Sequence, residues 1–137
     1  MTMPRKVLVV ENHGGLLEFL ARALTLSGWD TLTADSGREA LIKLAHDLPS
    51  VILLDMRMPV MNGFELAGIL KAHPVYKNIP ILAASGSTSE QTREPCLAAG
   101  CDDFIAKPFA ISTLEMRLTQ LASAGRQKTT SATAIRS

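Results

Sequence analysis

Apolar positions along this chain follow two patterns that take turns. Val7-Leu8-Val9-Val10, Val51-Ile52-Leu53-Leu54 and Pro80-Ile81-Leu82-Ala83-Ala84 are short unbroken runs closed by polar or Gly/Pro-containing segments. Runs of that length without polar alternation are what strands buried on both faces look like. Residues 30–34 and 104–106 supply two more strands, the first more polar and therefore expected near a sheet edge. Helical spacing fills the intervals. After the first run, Leu16, Leu17, Leu20, Ala23 and Leu24 fall on one stripe with Glu18, Arg22 and Thr25 away from it, and Gly28 ends the helix.

The other helices are marked mainly at their ends. Ser36-Gly37-Arg38-Glu39 reads as a capping box opening a second helix that runs to about Ala45. Asn62 caps a third, with Glu65 placed near its positive end. The fourth is the weakest. Pro95 would remove a hydrogen bond from a helix interior, so it is expected in the first turn of a short helix to Ala99, with residues 87–94 loose. Ile111, Leu114, Leu118 and Leu121 line the last helix. Residues 125–137 are small and polar with no acid among them, which predicts a flexible tail or linker after a domain of residues 1–124.

Strand followed by helix, five times, with continuous apolar strands, predicts an α/β fold. A five-stranded parallel sheet would be doubly wound, with helices on both faces and right-handed crossovers. Chemistry in such sheets sits beyond the carboxyl ends of the strands, where strand order reverses. The 137 residues suffice for one core, and 47% hydrophobic with 20% charged residues is ordinary globular composition. A net charge of +1 gives no general pull toward nucleic acid or an anionic membrane, and the apolar runs are too short to span a bilayer. No signal-peptide core follows Met1, so a cytoplasmic location is expected. Cys96 and Cys101 lack metal-site spacing and are expected as reduced packing residues. Arg126, Lys128 and Arg136 are too few to imply nucleic-acid binding.

The residues that follow the strands are Glu11 and Asn12, Asp55, Ser85, and Lys107. Two carboxylates, an amide, a hydroxyl and an ammonium thus converge on one edge. Carboxylate and amide oxygens suit Mg²⁺, and a carboxylate can itself act as a nucleophile toward phosphorus. An ammonium and a hydroxyl can hold phosphoryl oxygens, and Gly86 leaves a donor room to approach.

These residues carry a resemblance. Val9-Val10-Glu11-Asn12, Leu54-Asp55-Met56-Arg57-Met58-Pro59 with Asn62-Gly63, Ser85-Gly86, and Ala99 through Phe109 stand in the right order at the right strand ends. Over about residues 6–122 the chain resembles a response-regulator receiver domain of two-component signalling (CheY-like). The resemblance implies a flavodoxin-like fold with strand order 2-1-3-4-5. It implies that Asp55 accepts a phosphoryl group from a sensor histidine kinase or phosphotransfer protein. Glu11, Asn12, Asp55 and the backbone carbonyl of Arg57 would hold Mg²⁺, and Ser85 and Lys107 would grip the phosphoryl oxygens. Phe104 and Ser85 would switch together, Lys107-Pro108 would be a cis peptide, and the output surface would be the fourth helix, fifth strand and fifth helix. Such a domain is not an enzyme beyond its own phosphorylation and dephosphorylation. It would act on a downstream protein or output domain outside this chain, without direct contact to nucleic acid or membrane, and homodimerisation stays open.

One departure stands out. The acidic pair is usually two carboxylates, and here it is Glu11-Asn12, so Mg²⁺ affinity should be weakened by the missing charge. The Arg57 side chain is expected to offset this in part by pairing with Glu11 or with the phosphoryl oxygens. His13, beside the pair, is expected as a solvated loop residue, and Asp102 and Asp103 as turn residues. The competing reading is a pseudo-receiver, a phosphorylation-independent interaction module. A small-molecule enzyme on the same scaffold lacks any glycine-rich nucleotide loop.

Overall fold

The computed structural model describes residues 5–86 and 90–136, with the backbone alone for 90–92 and 125–136. Its elements are β1 (Lys6–Val10), α1 (Gly14–Leu26), β2 (Asp30–Ala34), α2 (Gly37–His46), β3 (Val51–Asp55), α3 (Gly63–Ala72), a 3-10 turn (Tyr76–Asn78), β4 (Ile81–Ser85), α4 (Glu90–Ala98), β5 (Asp103–Ala106) and α5 (Ile111–Arg136). All strand pairs are parallel, in the order β2-β1-β3-β4-β5. The chain steps from β1 outward to β2, then crosses back so that β3 lies on the other side of β1. In sheets of this kind such a reversal marks where ligands bind, beyond the carboxyl ends of the strands. Val10 is in register with Leu54, so Glu11 and Asp55 leave the sheet side by side.

Period-two alternation in the strands divides the core between two faces. Leu8, Val10, Ile52 and Leu54 point to the face covered by α2, α3 and α4, where they meet Leu44, Leu66, Leu70 and Cys96. Val7, Val9, Val51 and Leu53 point the other way, toward Leu20 and Leu24 of α1 and Leu114 and Leu118 of α5. Each large aliphatic side chain so buried contributes about 1.5–3 kcal/mol relative to exposure. β2 lies at the edge, as its polar composition predicts, and only Ala34 in it is fully enclosed.

Three local expectations need correction. α4 begins at Glu90, so Pro95 lies within it rather than in a first turn, and residues 90–94 are helical. Residues 87–89 of the expected loose segment lie outside the described residues. The proline removes one helical bond, to the Gln91 carbonyl, while Cys96 next to it is fully buried against the core. Local propensity yields here to packing.

α5 continues to Arg136 where a tail was expected after residue 124. Arg126, Gln127, Lys128, Ala132 and Ala134 are good helix formers, while Gly125, Thr129, Thr130, Ser131 and Thr133 are poorer ones. The capping box at Ser36 is half formed. Ser36 accepts the Glu39 N–H at 3.1 Å, but Glu39 reaches back to the N–H of Asp35. The complete reciprocal box is at Asn62 and Glu65, at 2.9 and 3.1 Å.

Cys96 and Cys101 are free and buried, as expected of packing residues, and burial pushes the Cys101 thiol up to about 12. Among the described residues, no helix is long and apolar enough to cross a membrane.

Candidate functional site

The site is the group of side chains at the carboxyl ends of β1, β3, β4 and β5. Glu11, Asp55 and Ser85 are the polar residues buried in the described part of the chain, each at 2–3% exposure. Parallel register places them: Asp55 is paired with Ala84, so Ser85 stands one step beyond it on the neighbouring strand. The Lys107 N–H donates to the Ser85 carbonyl at 2.7 Å, which draws the end of β5 against the end of β4. The Lys107-Pro108 peptide is cis, as the resemblance implies.

Lys107 supplies the cation. Its Nζ lies 2.7 Å from Glu11 Oε1 and 3.4 Å from Asp55 Oδ1. Asp55 Oδ1 also accepts the Arg57 N–H at 3.2 Å. Glu11 Oε2 accepts the His13 N–H at 3.2 Å and faces His13 Nδ1 at 3.3 Å.

The two acids respond in opposite directions. Burial pushes Glu11 up, but the Lys107 ammonium and the His13 N–H outweigh it, and its carboxyl sits below the ordinary value. Burial also pushes Asp55 up. There the charge of Glu11 adds to the rise, the Arg57 N–H and Lys107 only partly offset it, and the carboxyl stays above its ordinary range. Two buried carboxylates share one ammonium, and the site carries an excess of negative charge in the interior.

That excess is what a divalent cation would relieve. Ligand atoms of Glu11, His13 and Asp55 all lie within 4.8 Å of one another, so the residues present fit such an ion. Asn12 is exposed at the rim beside them. Arg57 is exposed too, and Glu11 takes its ionic partners from Lys107 and His13. The expected pairing of the Arg57 side chain with Glu11 is therefore not formed. Lys107, at the end of β5, takes that place.

Two features of the β3–α3 loop were not visible as chemistry in the sequence. Gly63 opens α3 close against the backbone of Asp55 and Met56. A Cβ there would stand 2.6 Å from the Met56 Cα and 2.8 Å from the Asp55 carbonyl oxygen, both backbone atoms that cannot step aside. The Asn62-Gly63 pair signals a turn, but the requirement at Gly63 is space. Val60 is fully exposed with φ +68, a conformation that β-branched residues rarely adopt.

On the other wall, a Cβ at Gly86 would meet nothing within 4 Å among the described residues, so room there does not depend on glycine. Phe104 is half-buried and packs against the α2-α3-α4 face of the core. Asp102 and Asp103 hold more than a turn. Asp102 accepts the Ile81 N–H at 2.8 Å and pairs with Lys71 at 3.2 Å, and Asp103 pairs with Arg117 of α5 at 3.1 Å.

Residues 7–119 match the response regulator receiver domain family. The response regulator MprA of Mycolicibacterium vanbaalenii is 36% identical over 119 residues, covering 87% of this chain and 51% of that protein. The transcriptional regulatory protein PrrA of Mycobacterium tuberculosis is 37% identical over 121 residues, covering 88% and 51%. The chain thus spans about half the length of the curated relatives it matches. Among solved structures, the chemotaxis protein CheY4 of Vibrio cholerae superposes with a TM-score of 0.82 at 33% identity, over 87% of this chain and 99% of that one. The receiver domain of Francisella response regulator 1452 gives 0.81 at 31% identity, over 88% and 98%. With its parallel sheet ordered 2-1-3-4-5 and its acids and lysine gathered at one edge, the chain belongs to the response regulator receiver domain family.

Proposed function

We propose that this receiver domain is a phosphorylation-controlled switch whose acceptor is Asp55. The observation that carries the reading is the single Lys107 ammonium held between two buried carboxylates at the carboxyl ends of the strands. In the proposed step a sensor histidine kinase or phosphotransfer protein presents a phosphoimidazole. An Asp55 carboxylate oxygen forms the new P–O bond, the P–N bond breaks, and its electron pair leaves with the imidazole nitrogen. Little covalent work falls to the protein, so positioning and charge neutralisation do most of the catalysis. The Arg57 N–H fixes the Asp55 carboxylate, and Lys107 is near enough to follow the phosphoryl oxygens as charge builds on them. Ser85 stands on the adjoining strand to hydrogen-bond the same oxygens.

A divalent cation, Mg²⁺ in the simplest case, would be held by Glu11, Asp55, Asn12 and the Arg57 carbonyl, and would supply positive charge to the phosphoryl group. The output runs through α4, β5 and α5. Arg117 of α5 already ties β5 by donating to the Phe104 carbonyl at 2.9 Å, and the Lys107 N–H ties β5 to Ser85. Phe104 and Ser85 are the proposed moving parts, and the downstream partner is a protein or output domain outside these residues.

A second reading, a phosphorylation-independent interaction module, is favoured by one observation: an exposed Asn12 stands where a second carboxylate would strengthen metal binding. Intact mass after incubation with acetyl phosphate separates the two. The switch predicts a phosphoryl adduct that needs a divalent cation and is absent in Asp55→Asn. No adduct with saturating metal and a phosphodonor protein would leave the interaction module standing instead.

A further inference from the structure

We propose that His13 is a ligand of the metal site formed with Glu11 and Asp55, and that it turns the site from Mg²⁺ toward first-row transition cations. The inference deepens the reading just given, since it concerns the cation of the same site. Its geometric basis is the position of the imidazole. His13 Nδ1 lies 3.3 Å from Glu11 Oε2, and the ligand atoms of Glu11, His13 and Asp55 lie within 4.8 Å of one another. Two ligands of one ion, each at about 2.1 Å and at right angles, are about 3.0 Å apart. The observed separation needs only a small adjustment to meet that. The ring is mostly exposed and free to make it, whereas both carboxylates are fixed by burial and by Lys107.

The donor set then decides the metal. Mg²⁺ takes oxygen donors almost exclusively, and its affinity follows the number of charged ones. Exchanging a carboxylate for Asn12 removes one of those charges. An imidazole does little for Mg²⁺ but suits Mn²⁺, Co²⁺, Ni²⁺ and Zn²⁺, and two carboxylates with one histidine is a donor set such ions accept. The substitution that weakens the site for the hard ion and the residue that strengthens it for softer ones are neighbours, Asn12 and His13.

The test uses the whole chain without any phosphodonor. Calorimetric titrations with Co²⁺ and with Mg²⁺ would be run on the wild type, His13→Ala, His13→Asp and Asp55→Asn. Pulsed electron paramagnetic resonance of bound Mn²⁺ would look for nitrogen coupling. Expected are Co²⁺ affinity about tenfold lower in His13→Ala with Mg²⁺ affinity changed less than about twofold, and nitrogen coupling present in the wild type and lost in that variant. His13→Asp should raise Mg²⁺ affinity and lower Co²⁺ affinity, and Asp55→Asn should weaken both ions.

Co²⁺ affinity unchanged in His13→Ala, or no nitrogen coupling in the wild type, would overturn the proposal and leave His13 as a hydrogen-bonding neighbour of Glu11 only. Acetyl phosphate labelling keeps the two readings apart. An Asp55 adduct with Mg²⁺ alongside His13-independent Co²⁺ binding sinks this inference and keeps the switch. No adduct with any metal alongside His13-dependent Co²⁺ binding does the reverse.

Discussion

Both ends of the sheet carry lysine–carboxylate pairs, at similar distances and in very different surroundings. At the amino end Lys6 meets Asp47 at 2.7 Å and Lys71 meets Asp102 at 3.2 Å, and the two aspartate side chains are 44% and 40% exposed. At the carboxyl end Lys107 meets Glu11 at 2.7 Å, and the Glu11 and Asp55 side chains are 2% and 4% exposed. Water screens the first group, where Lys6 also has Asp30 at 3.8 Å, an acid 60% exposed. The second group is taken out of water with one lysine for two acids, so every charge there depends on the others. Distance alone would rank these pairs as equals. At both ends one lysine faces two acids, so burial is what separates the two groups.

The largest effect that could break this contrast is at the two lysines. Lys107→Met should destabilise the metal-free domain by about 3 kcal/mol, because it strands two buried carboxylates. Lys6→Met should barely move the urea midpoint. Equal losses in the two unfolding curves would mean that burial does not distinguish the ends.

Next come the acids, where opposite signs are expected. Asp55 sits above its ordinary value, so its ionised form is disfavoured on folding and lowers stability at neutral pH. Asp55→Asn should therefore stabilise the metal-free protein at pH 7, by about 1 kcal/mol. That advantage should shrink as pH falls through the raised value and vanish below the ordinary carboxylate range, where the aspartate is protonated in both states. Asp47→Asn should show a slight loss at pH 7 instead. Urea unfolding of both variants from pH 7 to pH 4 checks the sign and the trend.

The smallest effect sharpens the picture of the acceptor loop. Val60→Asn should stabilise by about 0.5 kcal/mol, seen as a thermal midpoint a few degrees higher, since asparagine accepts the left-handed backbone and Val60 is fully exposed.

Much of this contrast was legible before any coordinates. The apolar runs ending at Val10, Leu54 and Ala84 located three strands, and the residues after them named the acids and the hydroxyl. Lys107 followed from the end of the fifth strand. Periodicity and strand-end chemistry are local, and sequence carries them well. What escaped was set by contacts between distant segments. Lys107 rather than Arg57 holds Glu11 because β5 delivers it there, although Arg57 is much nearer in sequence to the acceptor. Pro95 sits within α4 because Cys96 is buried. Lys71 and Asp102, 31 residues apart, meet only when α3 and the loop before β5 are folded together. Val60 gave no signal, because its backbone angle contradicts its side-chain type.

The cramped position of Gly63 has a mechanical meaning. With backbone atoms of residues 55 and 56 close against it, and its N–H donated to the Met56 carbonyl at 3.2 Å, the first turn of α3 is tied to the chain directly after β3. A tilt of that first turn would press on the backbone of residues 55 and 56. A partner resting on that turn would therefore act on the surroundings of Asp55 from outside the strand ends.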